Sequence, residues 1–180
     1  MKQRLNSMSN RAVKKKSWSW KCLYIAIGLL ILSGVLYLIH YIGIDREFYM
    51  DHEFFGNKVY GELFALDQKQ EEFTALTQQA QEALAFVGTR EEAEERFGLL
   101  SHYCTTAEGA TQSRWTMKVI SAGAKGNRGY VWVAYTRDLL SPEGEVLQSH
   151  GSEKYRALSR WAVEKQDGQW VITEIRENDR

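Results

Sequence analysis

The sequence offers few groups that could do chemistry, and they sit far apart. Outside its apolar stretch the histidines are His52, His102 and His150, which join Asp138 and several tyrosines as the acid–base inventory. His102-Tyr103-Cys104 is the most suggestive group, because a histidine close to a cysteine can draw off the thiol proton and leave a nucleophile. Adjacent residues on a strand or loop point apart, however, and no orienting acid is identifiable, so a satisfied or exposed histidine is the plainer reading. His150-Gly151-Ser152-Glu153 lacks a metal-ligand spacing and has no second His/Cys pair to support it. The sequence contains no HExxH, no GxSxG and no glycine loop that would cradle a phosphate; Gly123, Gly126 and Gly129 are spaced as turn glycines. No catalytic residue, metal ligand or cofactor is expected on these grounds.

Aromatic residues are a richer vein. Trp115, Trp132, Trp161 and Trp170 all fall in strand-like segments. Side chains of this kind can line an apolar ligand cavity, present a docking face or fill a core, and core is the default. Trp132 and Trp161, together with Trp115 and Tyr135, are the candidates for ligand or partner contact.

These residues need elements to hold them. Between Asp67 and Val87, Phe73, Leu76, Ala80, Ala83, Leu84 and Val87 recur every three to four positions with Gln and Glu between them, which predicts a helix stopped by Gly88. Thr89-Arg90-Glu91-Glu92 has the spacing of a capping box, opening a second, short helix to about Phe97 or Leu100. Its glutamates suit the positive helix end better than they suit a metal. Beyond residue 104 the pattern turns to strands. Arg114–Ile120 alternates. Tyr130–Thr136 is apolar on both faces, as a central strand would be. Ser141-Pro142-Glu143-Gly144 reads as a type I turn, after which the chain returns through Val146 and Leu147. Tyr155, Ala157, Trp161 and Val163 alternate with charged residues. Gln166-Asp167-Gly168-Gln169 is the strongest hairpin signal, and Trp170 to Ile175 forms the last strand. The expected class is α+β, with two or three helices packed on a four-stranded antiparallel sheet.

Charge divides the chain more sharply than any motif. Among its 180 residues the formal charge is zero, yet residues 1–21 hold seven basic side chains and no acidic one. Residues 22–44 carry no formal charge, and residues 45–180 carry 16 basic and 23 acidic residues. The run from Cys22 to Ile44 is 23 residues long and as a helix reaches roughly 34 Å, enough to cross a hydrocarbon core of about 30 Å. Trp18, Trp20 and Tyr24 at one edge, and Tyr37, Tyr41, Phe48 and Tyr49 at the other, suit the headgroup layers. The run is too long for a cleaved signal peptide and is followed by Asp45-Arg46-Glu47-Phe48 rather than a small-residue cleavage site, which predicts an uncleaved anchor. Val35 stands where a lipoprotein box would need cysteine.

The basic bias places residues 1–21 in the cytoplasm, with Lys14, Lys15, Lys16 and Lys21 setting topology and touching anionic lipid, and residues 45–180 outside. The organisation expected is therefore a tail over 1–21, a transmembrane helix over 22–44, a juxtamembrane helical linker over 45–66 and an extracytoplasmic domain over 67–180. Cys22 and Cys104 fall on opposite sides and cannot pair, so the outer domain must fold without a disulfide. Its acidic balance argues against nucleic acid as a partner.

The order of three helices and four antiparallel strands, ending in the run from Arg160 to Glu177 (RWAVEKQDGQWVITEIRE), resembles the nuclear-transport-factor-2-like cone fold over about residues 60–177. The tail, span and outer domain together look like the bitopic subunit of type IV secretion and conjugation machines. That resemblance implies a scaffold in a bacterial envelope complex, with envelope proteins or further copies of itself as partners and no catalytic residues to carry over. Cone-fold relatives also include enzymes with an Asp, His or Tyr in the cone mouth, so an extracytoplasmic ligand-binding sensor or carrier, or an enzyme, stand as the alternative readings.

Overall fold

The computed structural model describes residues 2–47, 52–56, 59–104 and 106–177, with side chains from residue 20 onward except those of residues 44–47 and 52. The chain divides into two compact units, Met1–Ile44 and Asp45–Arg180. Helix α1 runs over Lys2–Glu47. Within it Trp20–Gly43 is long and apolar enough to cross a membrane, and none of that stretch is buried against protein. Lys21 is exposed; the side chains of Lys14, Lys15 and Lys16 lie outside the described residues, as does that of His52.

The second unit is α+β. Short helices α2 (His52–Phe55) and α3 (Val59–Leu63) come first. A 3-10 turn over Gln70–Phe73 leads into α4 (Thr74–Ala85). Helix α5 (Arg90–Phe97) runs on into a 3-10 helix over Gly98–Tyr103. Five strands follow: β1 (Gln112–Lys125), β2 (Arg128–Leu140), β3 (Val146–His150), β4 (Ala157–Gln166) and β5 (Gln169–Glu177). The sheet is antiparallel in the order β1-β2-β4-β5, with the short β3 pairing the far half of β2 beyond the reach of β4. Val146 and Leu147, read from sequence as a returning segment, thus add a fifth strand to the four-stranded plan. Tyr130–Thr136 is central, as its apolar faces require.

Local chemistry explains the junctions. Asp167 and Gly168 both have positive φ, 50° and 83°, the two left-handed positions of a type I′ hairpin turn whose twist matches that of its strands. Thr89 accepts from Glu92 N while Glu92 returns a bond to Thr89 N, completing the capping box. Helix α4 ends at Ala85, before Gly88, because Phe86 is extended and the last carbonyls are claimed from elsewhere. Arg137 of β2, buried, donates from Nε to Leu84 O at 2.9 Å and from Nη2 to Phe86 O at 2.6 Å. Cys104 Sγ donates to Ala83 O. A guanidinium at a helix C-terminus satisfies orphan carbonyls and complements the negative helix end.

One sheet face packs on α4 and the 3-10 helix Gly98–Tyr103, with α5 set against both. Phe73, Leu76, Ala80, Ala83 and Leu84 meet Val131, Val133, Trp161 and Val163 there. Full burial stabilises each large side chain by about 1.5–3 kcal/mol. The opposite face is covered where Trp132 lies, by Phe55 at 5.1 Å between ring centroids. Val59 and Leu63 are buried as well. The division that set residues 45–66 apart as a linker is corrected here: the described part of that segment belongs to the fold, because Trp132 needs a cover and Phe55 supplies it.

Candidate functional site

Among the described residues a buried polar centre stands on one sheet face and a half-buried one on the other. On the helix-packed face the centre is Glu177, the last residue of β5, whose side chain is 1% exposed. Register places it beside Ser159 of β4, and its Oε1 accepts from Tyr135 Oη at 2.6 Å. His150 Nε2 lies 2.6 Å from the same oxygen, and His102 Nε2 stands 3.6 Å from Oε2, an ion-pair distance too long for a hydrogen bond. Among the described residues Oε2 has no hydrogen-bond donor. Burial alone would push the Glu177 carboxyl up; the contacts from His102, His150 and Tyr135 outweigh it and hold the carboxyl at about 2. An ionised carboxylate only accepts, so His150 carries a proton on Nε2 in this arrangement.

The network continues inward. Tyr103 Oη donates to Ser159 Oγ at 2.7 Å and accepts from Trp161 Nε1. Complete burial raises the Tyr103 phenol well above its ordinary value, so it stays a neutral donor. The Tyr135 ring stacks on His150 at 5.3 Å and meets Tyr103 edge-on at 4.9 Å.

On the opposite face the centre is Glu62 of α3. Its carboxylate accepts from Arg160 Nε and Nη2, both at 2.7 Å, and from Trp132 Nε1 at 2.8 Å. Its main-chain carbonyl accepts from Ser121 Oγ and Tyr130 Oη. The hydrogen bond and charge of Glu62 together raise the Arg160 guanidinium against the opposing effect of burial. A bidentate Arg–carboxylate pair fixes orientation as well as proximity, so α3 is pinned to the sheet at one register. Gln68 extends the clamp, accepting from Ala122 N and donating to Ser121 Oγ.

The sequence candidates fall into these centres as structural members. Trp161 and Tyr135 belong to the Glu177 network, and Trp132 donates its indole N–H into the Glu62 clamp. All three are buried. They are interior side chains and not the lining of a cavity, because α4, the 3-10 helix and the Phe55 segment fill the space in front of them. Trp115 is half-buried against the main core. His102 and Cys104 do not form a nucleophile pair: burial pushes the Cys104 thiol up, its Sγ is spent on a carbonyl, and His102 addresses Glu177. Asp138 is held below its usual range by hydrogen bonds from Ser149 and Arg114, on the polar side of β2. Among the described residues no group of three His, Cys, Asp or Glu side chains is arranged to hold a metal ion. His102 and His150 each address a different oxygen of Glu177.

Glu177, Glu62 and Arg160 escape the sequence reading. A signal for the first existed: Glu177 follows Ile175 by two in the last strand, which puts a charge on the apolar face. The second stands three residues after the buried Val59, beside the buried stripe of α3. A shallow groove of about 530 Å³ also runs between α4, the 3-10 helix and β5, with Leu76, Phe97, Leu99, Trp170 and Ile172 among its walls.

No family model matches the chain, and no curated protein matches it. Among solved structures the chain is similar to the crystal structure of the intermembrane space region of chloroplast protein ARC6. The likeness has 18% sequence identity and a TM-score of 0.37, over 63% of this chain and 97% of that chain.

Proposed function

We propose that this protein is a membrane-anchored interaction module: a basic tail in the cytoplasm, one span, and an extracytoplasmic domain that holds a place in a bacterial envelope assembly without catalysing a reaction. The observation that carries the reading is Trp20–Gly43, a 24-residue apolar helix with no buried residue. Such a surface is stable in lipid and not in water. Six basic residues before it and Lys21 at its edge, with none after it until Arg46, support an inward-facing tail. The domain suits a scaffold. Trp132, Tyr135 and Trp161 are spent on the interior, and the segment that follows the span in sequence is clamped to the sheet through Glu62.

The test is quantitative crosslinking in intact cells at native abundance, comparing the full chain with a version whose Asp45–Arg180 unit is replaced by an unrelated domain on the same anchor. The reading expects a fixed set of envelope neighbours, or further copies of the chain, that depends on the native domain. A strictly monomeric chain, or neighbours unchanged by the replacement, would sink it.

A further inference from the structure

We infer that Glu177, His102 and His150 form a proton-operated latch, which ties the end of β5 to β3 and to the 3-10 helix Gly98–Tyr103 and tightens the domain as its surroundings turn acidic. The inference is independent of membrane anchoring; it rests on the geometry of one cluster.

The carboxylate is inside and the bases are at the surface. Glu177 is 1% exposed, while the His102 and His150 side chains are 37% and 33% exposed. A proton therefore reaches either ring from solvent without opening the core, and the charge it brings is read by a buried anion. Three separate stretches of chain converge on that anion, at residues 102, 150 and 177. None of the three is held there by the others' main chain, since β3 pairs only with β2 and β5 only with β4.

The groups facing the cluster leave the imidazoles as its switching elements. From β2, Tyr135 donates to Oε1 and stacks on His150, and Arg137 is the register partner of His150 with its guanidinium turned toward the carbonyls of α4. From the 3-10 helix, Tyr103 is bonded to Ser159 of β4 and to Trp161. Glu177 remains an anion throughout the mildly acidic range, and the tyrosines and Arg137 keep their charge there. Only imidazole ordinarily changes charge between pH 5 and 8.

With both rings neutral, Oε1 is served by Tyr135 and His150, while Oε2 sits buried near His102 with no hydrogen-bond donor among the described residues. Protonating His102 sets a cation against that oxygen. Protonating His150 turns an existing bond into a charge-assisted one. The folded chain then holds these protons more tightly than the unfolded chain does, so stability must rise as pH falls through the imidazole range. The sign is that of any cation gaining a partner. The contribution is fully present below the ordinary imidazole value of about 6.5 and is lost as pH climbs above it.

The test is urea unfolding of the full chain in detergent at pH 7.5 and 5.5, followed by tryptophan fluorescence, for the wild type and for His102→Gln/His150→Gln. The domain is net acidic, so acidification relieves general repulsion in both proteins; the latch is read from the difference between them. The wild type should gain about tenfold or more in its folded-to-unfolded ratio over the double variant on acidification, as each imidazolium gains a buried anionic partner. Glu177→Gln should lose the same gain. Should that variant not fold, the single variants His102→Gln and His150→Gln, at partly exposed positions, should each remove a share of it. An equal pH response in the wild type and the double variant, or imidazole resonances of His102 and His150 titrating at or below the ordinary value, would overturn the latch.

Discussion

Replacing Glu62 tests whether the segment after the span is part of the fold. The Glu62 side chain is 14% exposed and that of Arg160 is 20% exposed, so the pair is largely shielded from water. Glu62→Ala removes three charge-assisted acceptor bonds and leaves a guanidinium and the Trp132 indole N–H without that acceptor. Breaking a fully buried pair costs about 3–5 kcal/mol, and the residual exposure points to the low end, about 3 kcal/mol. An exposed pair would cost under about 1 kcal/mol. The clean assay is a double-mutant cycle with Arg160→Ala, measured by urea unfolding of the full chain in detergent, because the cycle cancels the cost of each orphaned partner. The expected coupling is about 2 kcal/mol. Near-ultraviolet circular dichroism should also report the release of Trp132 from Phe55 in both single variants. A coupling below about 0.5 kcal/mol, with the Trp132 signal unchanged, would refute the clamp.

Other substitutions probe the remaining joints. Glu177 drops from an ordinary 4.5 to about 2, so its stabilising contribution is present above 4.5 and is lost as pH falls through 2. Glu177→Gln should accordingly lower stability by roughly 3 kcal/mol at pH 7, and the gap from wild type should narrow below pH 4.5 in an acid titration. Thr89→Ala removes the side-chain half of the capping box, the bond from Glu92 N to Thr89 Oγ1, and should cost about 1 kcal/mol in the same unfolding assay. Cys22 and Cys104 are both free, so a reductant should leave the melting temperature unchanged, and a shift on reduction would contradict the topology. Changing Lys14, Lys15, Lys16 and Lys21 together to Gln should produce mixed orientations in a protease-protection assay.

The elements legible in the sequence are those whose signals are local. Thr89 and Glu92 announce a helix start because a capping box needs only four residues. Asp167-Gly168 announces a hairpin because its backbone angles depend on those two residues alone. The central place of Tyr130–Thr136 follows from having no polar face. What stayed hidden is long-range. Arg137 caps a helix some fifty residues earlier in the chain, and this overrides Gly88 as the stop. Glu62 meets Arg160 across 98 positions, and nothing near either residue predicts the other. The strand tryptophans were visible as a set, but their role depends on what covers each face, which periodicity does not carry. His102 and His150 drew notice as separate candidates; the carboxylate that unites them sits at the end of β5, where a charged residue reads as a solvated terminus.

The most direct test of the account is a labelling experiment in intact cells. Cys22 lies at the N-terminal edge of the apolar helix, and Glu143 occupies an exposed turn of the domain, so Glu143→Cys supplies a reporter on the domain without touching the core. A membrane-impermeant maleimide should label the thiol introduced by that substitution in whole cells and reach Cys22 only after the membrane is permeabilised. Labelling of Cys22 in intact cells, or recovery of a mature chain that begins near Asp45, would contradict an inward-facing tail on an uncleaved anchor.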